Sequence, residues 1–96
     1  MLVLVTYDVN TISEGGSKRL RHVAKVCQKY GQRVQNSVFE CIVDSTQFTE
    51  LKIELSSIID EEKDSLRFYR IGDNYKSKVD HIGVKEALDL EGPLIF

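Results

Sequence analysis

At 96 residues and 11.0 kDa the chain has room for one domain and not for two. A domain of this size buries only roughly 60–65% of its unfolded surface and gains much from self-association. Hydrophobic residues at 42% and charged residues at 29% exclude disorder, and no apolar run approaches the ~20 residues of a membrane span, so the chain reads as cytoplasmic. A formal net charge of −2 excludes a global basic field, but the charge is unevenly placed. Between Gly15 and Asn36 stand six basic residues, Lys18, Arg19, Arg21, Lys25, Lys29 and Arg33, and no acid. A fold that gathers this segment on one surface has a cationic face suited to a polyanion, whatever its pI.

Met1 to Val9 is apolar and β-rich, the pattern of a buried central strand. Leu2, Leu4 and Thr6 alternate with Val3, Val5 and Tyr7, so both faces of that strand need cover. Asn10 to Gly16 is a loop by composition. A helix is predicted from a cap near Ser17 to about Tyr30, with Gly31 as its stop. At 100° per residue Leu20, Val23, Ala24 and Cys27 share an apolar arc, and Lys18, Arg21, Lys25 and Lys29 lie opposite, near His22. Gln32 to Asp44 reads as two strands turning at Asn36 and Ser37, with Phe39, Cys41 and Val43 on one face.

Asp44 and Gln47 form a capping-box pattern for a second helix, with Phe48, Leu51, Leu55, Ile58 and Ile59 on its apolar side and Glu50, Glu54 and Glu61 opposite. Asp60 to Ser65 is a charged connection. Leu66, Phe68 and Arg70 alternate with Arg67, Tyr69 and Ile71 in a half-buried strand that turns at Gly72 to Asn74. Ser77 to Ile82 reads as a short further strand, followed by Pro93 and an apolar end, Leu94 to Phe96.

The order β-α-β-β-α-β predicts an α+β fold, the ferredoxin-like sandwich with both helices on one face of an antiparallel sheet, plus an extra C-terminal strand. One domain covers residues 1–96, with a core to about residue 72 and an extension over 73–96 expected at a dimer interface. The sheet face without helices is expected to be covered by a second copy, making the protein a homodimer, with the apolar tail adding a strand to its neighbour.

Most catalytic constellations are missing: no Gly-rich phosphate loop, no HExxH, no CxxC and no Gly-x-Ser-x-Gly motif. Cys27 and Cys41 lie in apolar periodic segments and read as packed, reduced thiols, and His22 and His81 are isolated. Asp8 stands apart, ending a central strand just before a Gly-containing loop and a basic helix. It reads either as a local cap or as a ligand for a hard divalent cation. One carboxylate holds Mg²⁺ poorly, but two-fold symmetry would bring a second alongside.

Beyond these local readings, Tyr7 and Asp8, the basic helix ending in Tyr30 and Gly31, and above all Gln32 to Glu40 (QRVQNSVFE) resemble the small CRISPR-associated protein of the spacer-acquisition machinery. Asp64 to Tyr69 (DSLRFY) and Gly92 to Phe96 (GPLIF) extend the similarity over essentially the whole chain, although the loop from Val9 to Ser17 is longer than in many relatives. The resemblance implies a ferredoxin-like dimer that partners the CRISPR integrase. It also implies metal-dependent endonuclease activity on RNA or duplex DNA, with Asp8 from both protomers binding Mg²⁺ or Mn²⁺. Tyr7, Arg33 and Phe39 match positions tied to that activity, and Lys18, Arg19, Arg21, Lys25, Lys29 and Arg33 are the expected phosphate ligands. The alternative role is a non-catalytic scaffold that bridges integrase dimers and lies along the protospacer duplex.

Overall fold

Alternating β-branched and aromatic residues make the first seven-residue element an extended strand, β1 (Leu2–Asp8), whose Val3, Val5 and Tyr7 are buried on one face. The computed structural model, which describes residues 1–83, continues with α1 (Gly16–Gln28), β2 (Gly31–Gln35), β3 (Val38–Ile42), α2 (Ser45–Ile58) and β4 (Ser65–Gly72). The four strands form one antiparallel sheet in the order β2-β3-β1-β4, with β1 and β3 inside. This is the ferredoxin-like topology expected from the sequence.

The core lies between the sheet and the two helices. Val23, Ala24, Val26 and Cys27 of α1 and Phe48, Leu51 and Leu55 of α2 pack on Val3, Val5, Tyr7, Phe39 and Cys41. Phe48 meets Phe68 of β4 edge-on, with centroids 5.7 Å apart. Both thiols are free and fully buried, and burial pushes each up to about 12. The other face of β1 is less well covered, Leu4 and Thr6 being half-buried and Asp8 exposed.

Three boundaries differ from the sequence reading. The α1 cap is Gly15, two residues before Ser17, because the chain enters the helix at φ 75°, a left-handed conformation that glycine adopts without steric cost. α1 stops at Gln28, and Gly31 opens β2 instead of ending the helix. Glycine is needed there because a Cβ would overlap the backbone of Glu40 and Cys41 on β3. Ser77 to Ile82 is not a strand: residues 76–78 form a turn closed by Lys78 N–H donating to Tyr75 O at 2.9 Å. Within one chain, no strand edge of the described residues pairs with it. The tail 84–96, including Pro93 and Leu94 to Phe96, lies outside the described residues.

The capping box forms as its residues predict: Gln47 N–H donates to Asp44 Oδ1 at 2.8 Å, and the Gln47 side chain accepts from Asp44 N–H at 3.0 Å. No helix of the described residues is long and apolar enough to cross a membrane.

The connection between α2 and β4 carries a charged group in the interior. The Asp64 side chain has no exposed surface, and Arg19 Nε donates to its Oδ2 at 2.8 Å. That hydrogen bond holds the carboxyl down at about 2, from 3.8; burial opposes it, and the N–H groups of Asp60 and Asn10 assist. A depressed folded-state value stabilises the fold above about pH 4, and the contribution is lost as pH falls toward about 2. Urea unfolding at a series of pH values is therefore expected to show a steeper acid loss for the wild type than for Asp64→Asn. Parallel profiles would mean that Asp64 is not a source of acid lability.

Candidate metal and nucleic-acid site

Asp8 ends an interior strand, where its backbone still pairs with Ser65 of β4. Its side chain points to the face without helices, in the alternation set by Leu4 and Thr6. Among the described residues its carboxylate is exposed and makes no hydrogen bond or ion pair. An anionic group without an internal partner at a strand end suits an external cation. Alone it supplies too few donors: no three His, Cys, Asp or Glu side chains of the described residues come together as a metal site. One chain alone therefore does not make a hard-cation site, and Mg²⁺ or Mn²⁺ would need a second carboxylate brought alongside Asp8.

Tyr7 and Phe39 do not join Asp8. Successive strand residues project to opposite faces, so Tyr7 enters the core beside Phe39, with ring centroids 6.2 Å apart. Arg33 on β2 is paired in register with Phe39, and its guanidinium lies 5.3 Å from the centre of that ring. The Tyr7 hydroxyl donates to Asn36 O at 3.4 Å, tying β1 to the turn between β2 and β3. Burial raises the Tyr7 pKa, an effect that the neighbouring Arg33 partly offsets. Phe39 has no exposed surface, and its ring, stacked on Tyr7, orients the exposed Arg33. Tyr7 and Phe39 are placed to hold a cation and not to touch a phosphate at Asp8 of the same chain.

The basic segment divides on folding. Lys18, Arg21, His22, Lys25 and Lys29 line one open groove along the outer side of α1. Lys29 is partly neutralised there, since its Nζ donates to Glu54 Oε2 at 2.7 Å and Tyr30 Oη donates to Oε1 at 2.9 Å. Those two bonds lower the Glu54 pKa. Lys18, Arg21 and Lys25 have no acidic partner among the described residues. At 1.5 Å rise per residue they form a row about 10 Å long, the scale of neighbouring phosphates on one strand.

Arg19 faces the other way. It reaches Asp64 and the loop before α1, and its side chain keeps only 16% of its exposure. Asn10 fixes the same loop, its Oδ1 accepting from the N–H groups of Ile12 and Ser13 at 3.1 and 3.2 Å. Sequence reasoning placed Arg19 with the phosphate ligands and gave Asp64 and Asn10 no role. No local signal could have found this set, because Arg19 and Asp64 are 45 residues apart.

Comparisons with known proteins agree with this architecture. The family model described as CRISPR associated protein Cas2 matches residues 1–79. The chain is 76% identical over 96 residues, all of both chains, to a protein of Halalkalibacterium halodurans named CRISPR-associated endonuclease Cas2. It is 59% identical over 96 residues, all of this chain and 94% of the relative, to a protein of Nitratidesulfovibrio vulgaris named CRISPR-associated endoribonuclease Cas2. Among solved structures, the crystal structure of Streptococcus pyogenes Cas2 is similar with a TM-score of 0.76 and 59% identity, covering 86% of this chain and all of the other. With its split β-α-β sheet, its strand-end aspartate and these relatives, the chain belongs to the Cas2 family of CRISPR-associated proteins.

Proposed function

We propose that the chain is a metal-dependent, sequence-nonspecific endonuclease of CRISPR spacer acquisition that acts as a homodimer on duplex DNA or RNA. One observation carries this reading: an exposed carboxylate with no internal partner, Asp8, ends an interior strand on the sheet face that the helices leave uncovered. Pairing that face with a second copy buries its apolar residues and sets two carboxylates about one axis. The names of the Halalkalibacterium and Nitratidesulfovibrio relatives, an endonuclease and an endoribonuclease, support the same reaction class.

The two Asp8 carboxylates would hold the divalent ion. When bound, Mg²⁺ or Mn²⁺ supplies a Lewis acid that neutralises charge on the scissile phosphate and makes water a better nucleophile. Lys18, Arg21, Lys25 and Arg33 hold phosphates farther along the same nucleic acid, away from the scissile one, with Arg33 oriented by the Phe39 ring. Such contacts fix position and carry no base sequence information. With Mg²⁺ the full-length protein is therefore expected to give an even ladder of products, and chelation to stop cleavage without releasing bound nucleic acid. Cleavage that persists in excess chelator would overturn the metal assignment.

A second reading is favoured by the placement of the cations. The row on α1 and the Asp8 side chain lie on opposite sides of the sheet. Phosphates gripped by α1 are thus held apart from Asp8 of the same chain. That arrangement suits a dimeric scaffold which lies along the protospacer duplex and bridges integrase dimers. Spacer acquisition that survives loss of Asp8 but not loss of the α1 cations would select it.

A further inference from the structure

Arg19 belongs to the basic run by sequence and departs from it in its hydrogen bonds and ion pair. All three guanidinium nitrogens are taken by protein acceptors. Nε donates to Asp64 Oδ2 at 2.8 Å, Nη1 to Glu14 O at 2.9 Å, and Nη2 to Ser13 Oγ at 2.9 Å and Asp64 Oδ1 at 3.3 Å. Asp64 is equally occupied: besides Arg19 it accepts from Asn10 N–H and Asp60 N–H, both at 2.9 Å. Its position links these contacts to the candidate metal ligand. Asp64 directly precedes Ser65, the backbone partner of Asp8, and Asn10 lies two residues beyond Asp8 on the same strand exit. One buried ion pair therefore grips both chain segments that flank the Asp8 pair and ties them to the first turns of α1.

We propose that Arg19 and Asp64 are a positioning pair that fixes the direction of the Asp8 carboxylate, and that Arg19 serves the reaction through this clamp instead of by holding a phosphate. The proposal rests on Asp8 being the metal ligand, as read above. The last residue of a strand frays unless something holds it, and a shared ion needs both carboxylates at a set separation. Groups that orient a ligand without touching the metal typically change metal affinity or activity by about 10–100-fold. The two possible roles of Arg19 give opposite signatures. A phosphate ligand contributes about one unit to the slope of log affinity against log salt, and a positioning residue contributes nothing to it.

The test uses the full-length protein carrying Arg19→Lys, Arg19→Gln, Asp64→Asn or Asp8→Asn. Three quantities are read: duplex affinity across a salt series, Mn²⁺ affinity of the protein without nucleic acid by paramagnetic resonance, and single-turnover cleavage at saturating duplex. Arg19→Gln and Asp64→Asn are expected to keep the wild-type salt slope and a duplex affinity within about twofold, while in these variants and in Arg19→Lys Mn²⁺ affinity and cleavage both fall by about 10-fold or more. Arg19→Lys keeps the charge and loses only the forked contact, so it reports even if Asp64→Asn proves too unstable to study. A flatter salt slope in Arg19→Gln with unchanged cleavage at saturation would make Arg19 a phosphate ligand, a readout that needs the charge removed. Wild-type Mn²⁺ affinity in both variants would show that the pair positions nothing at Asp8. If instead Asp8→Asn itself binds Mn²⁺ and cleaves normally, the metal assignment fails, whatever the clamp does.

Discussion

Asp8→Asn is expected to lower metal-dependent cleavage at least about 100-fold, roughly 3 kcal/mol of transition-state stabilisation, while leaving the fold intact. The substitution keeps side-chain shape and removes only the charge. Because Asp8 is exposed and makes no hydrogen bond or ion pair among the described residues, stability should move by no more than about 0.5 kcal/mol. Mixing the variant with wild type separates a shared site from two independent ones. If one ion needs both carboxylates, an equal mixture of freely exchanging subunits retains about one quarter of wild-type activity; independent sites retain about one half. Cleavage by pure Asp8→Asn at the wild-type rate would remove this carboxylate from the mechanism altogether.

The second large effect concerns binding. Reversing Lys18, Arg21 and Lys25 to glutamate is expected to weaken duplex binding on the order of 100-fold near 0.1 M salt and to flatten the salt slope by about 2.7 units. Each of these side chains lines the outer groove of α1 without an acidic neighbour, so each is free to release a counterion. Lys29→Glu is expected to have a distinctly smaller effect, because its charge is already shared with Glu54 at 2.7 Å. Fluorescence anisotropy across a salt series reads both. Equal losses from Lys29 and Lys25 would mean that charge on α1 acts as a diffuse field and not as a row of contacts. Binding unchanged by the triple reversal would move the nucleic acid to another surface.

The two experiments act on opposite sides of the sheet, and together they divide the nuclease from the scaffold. A protein that loses cleavage with Asp8 but keeps the duplex uses β1 for chemistry and α1 for grip. A protein whose spacer acquisition ignores Asp8 and fails without the α1 cations uses the grip alone.

Alternation and helical periodicity by themselves determined the element order and the core. Phe39, Cys41, Leu51 and Leu55, each placed on one face by periodicity, are fully buried with Val3 and Val5 of the strand expected to be central, and the capping box of Asp44 and Gln47 forms as written. These signals are local: a period of 2.0 or 3.6 residues, or a side chain bonding three positions away, is set within one element. Four strands and two amphipathic helices in this order have few ways to bury their apolar faces, so the topology followed as well.

Which residues share a site was decided only by the tertiary structure. Tyr7 and Asp8 are neighbours in sequence, yet the pleat sends them to opposite faces, and Tyr7 joins Phe39 and Arg33. Arg19 lies between Lys18 and Leu20 in a run that reads as uniformly cationic, yet its direction is set by a carboxylate 45 residues away. Sequence fixes how charge is distributed along the chain. Whether a charge is paired inside or free to meet a ligand depends on contacts between distant segments, and those exist only once the sheet and helices have packed.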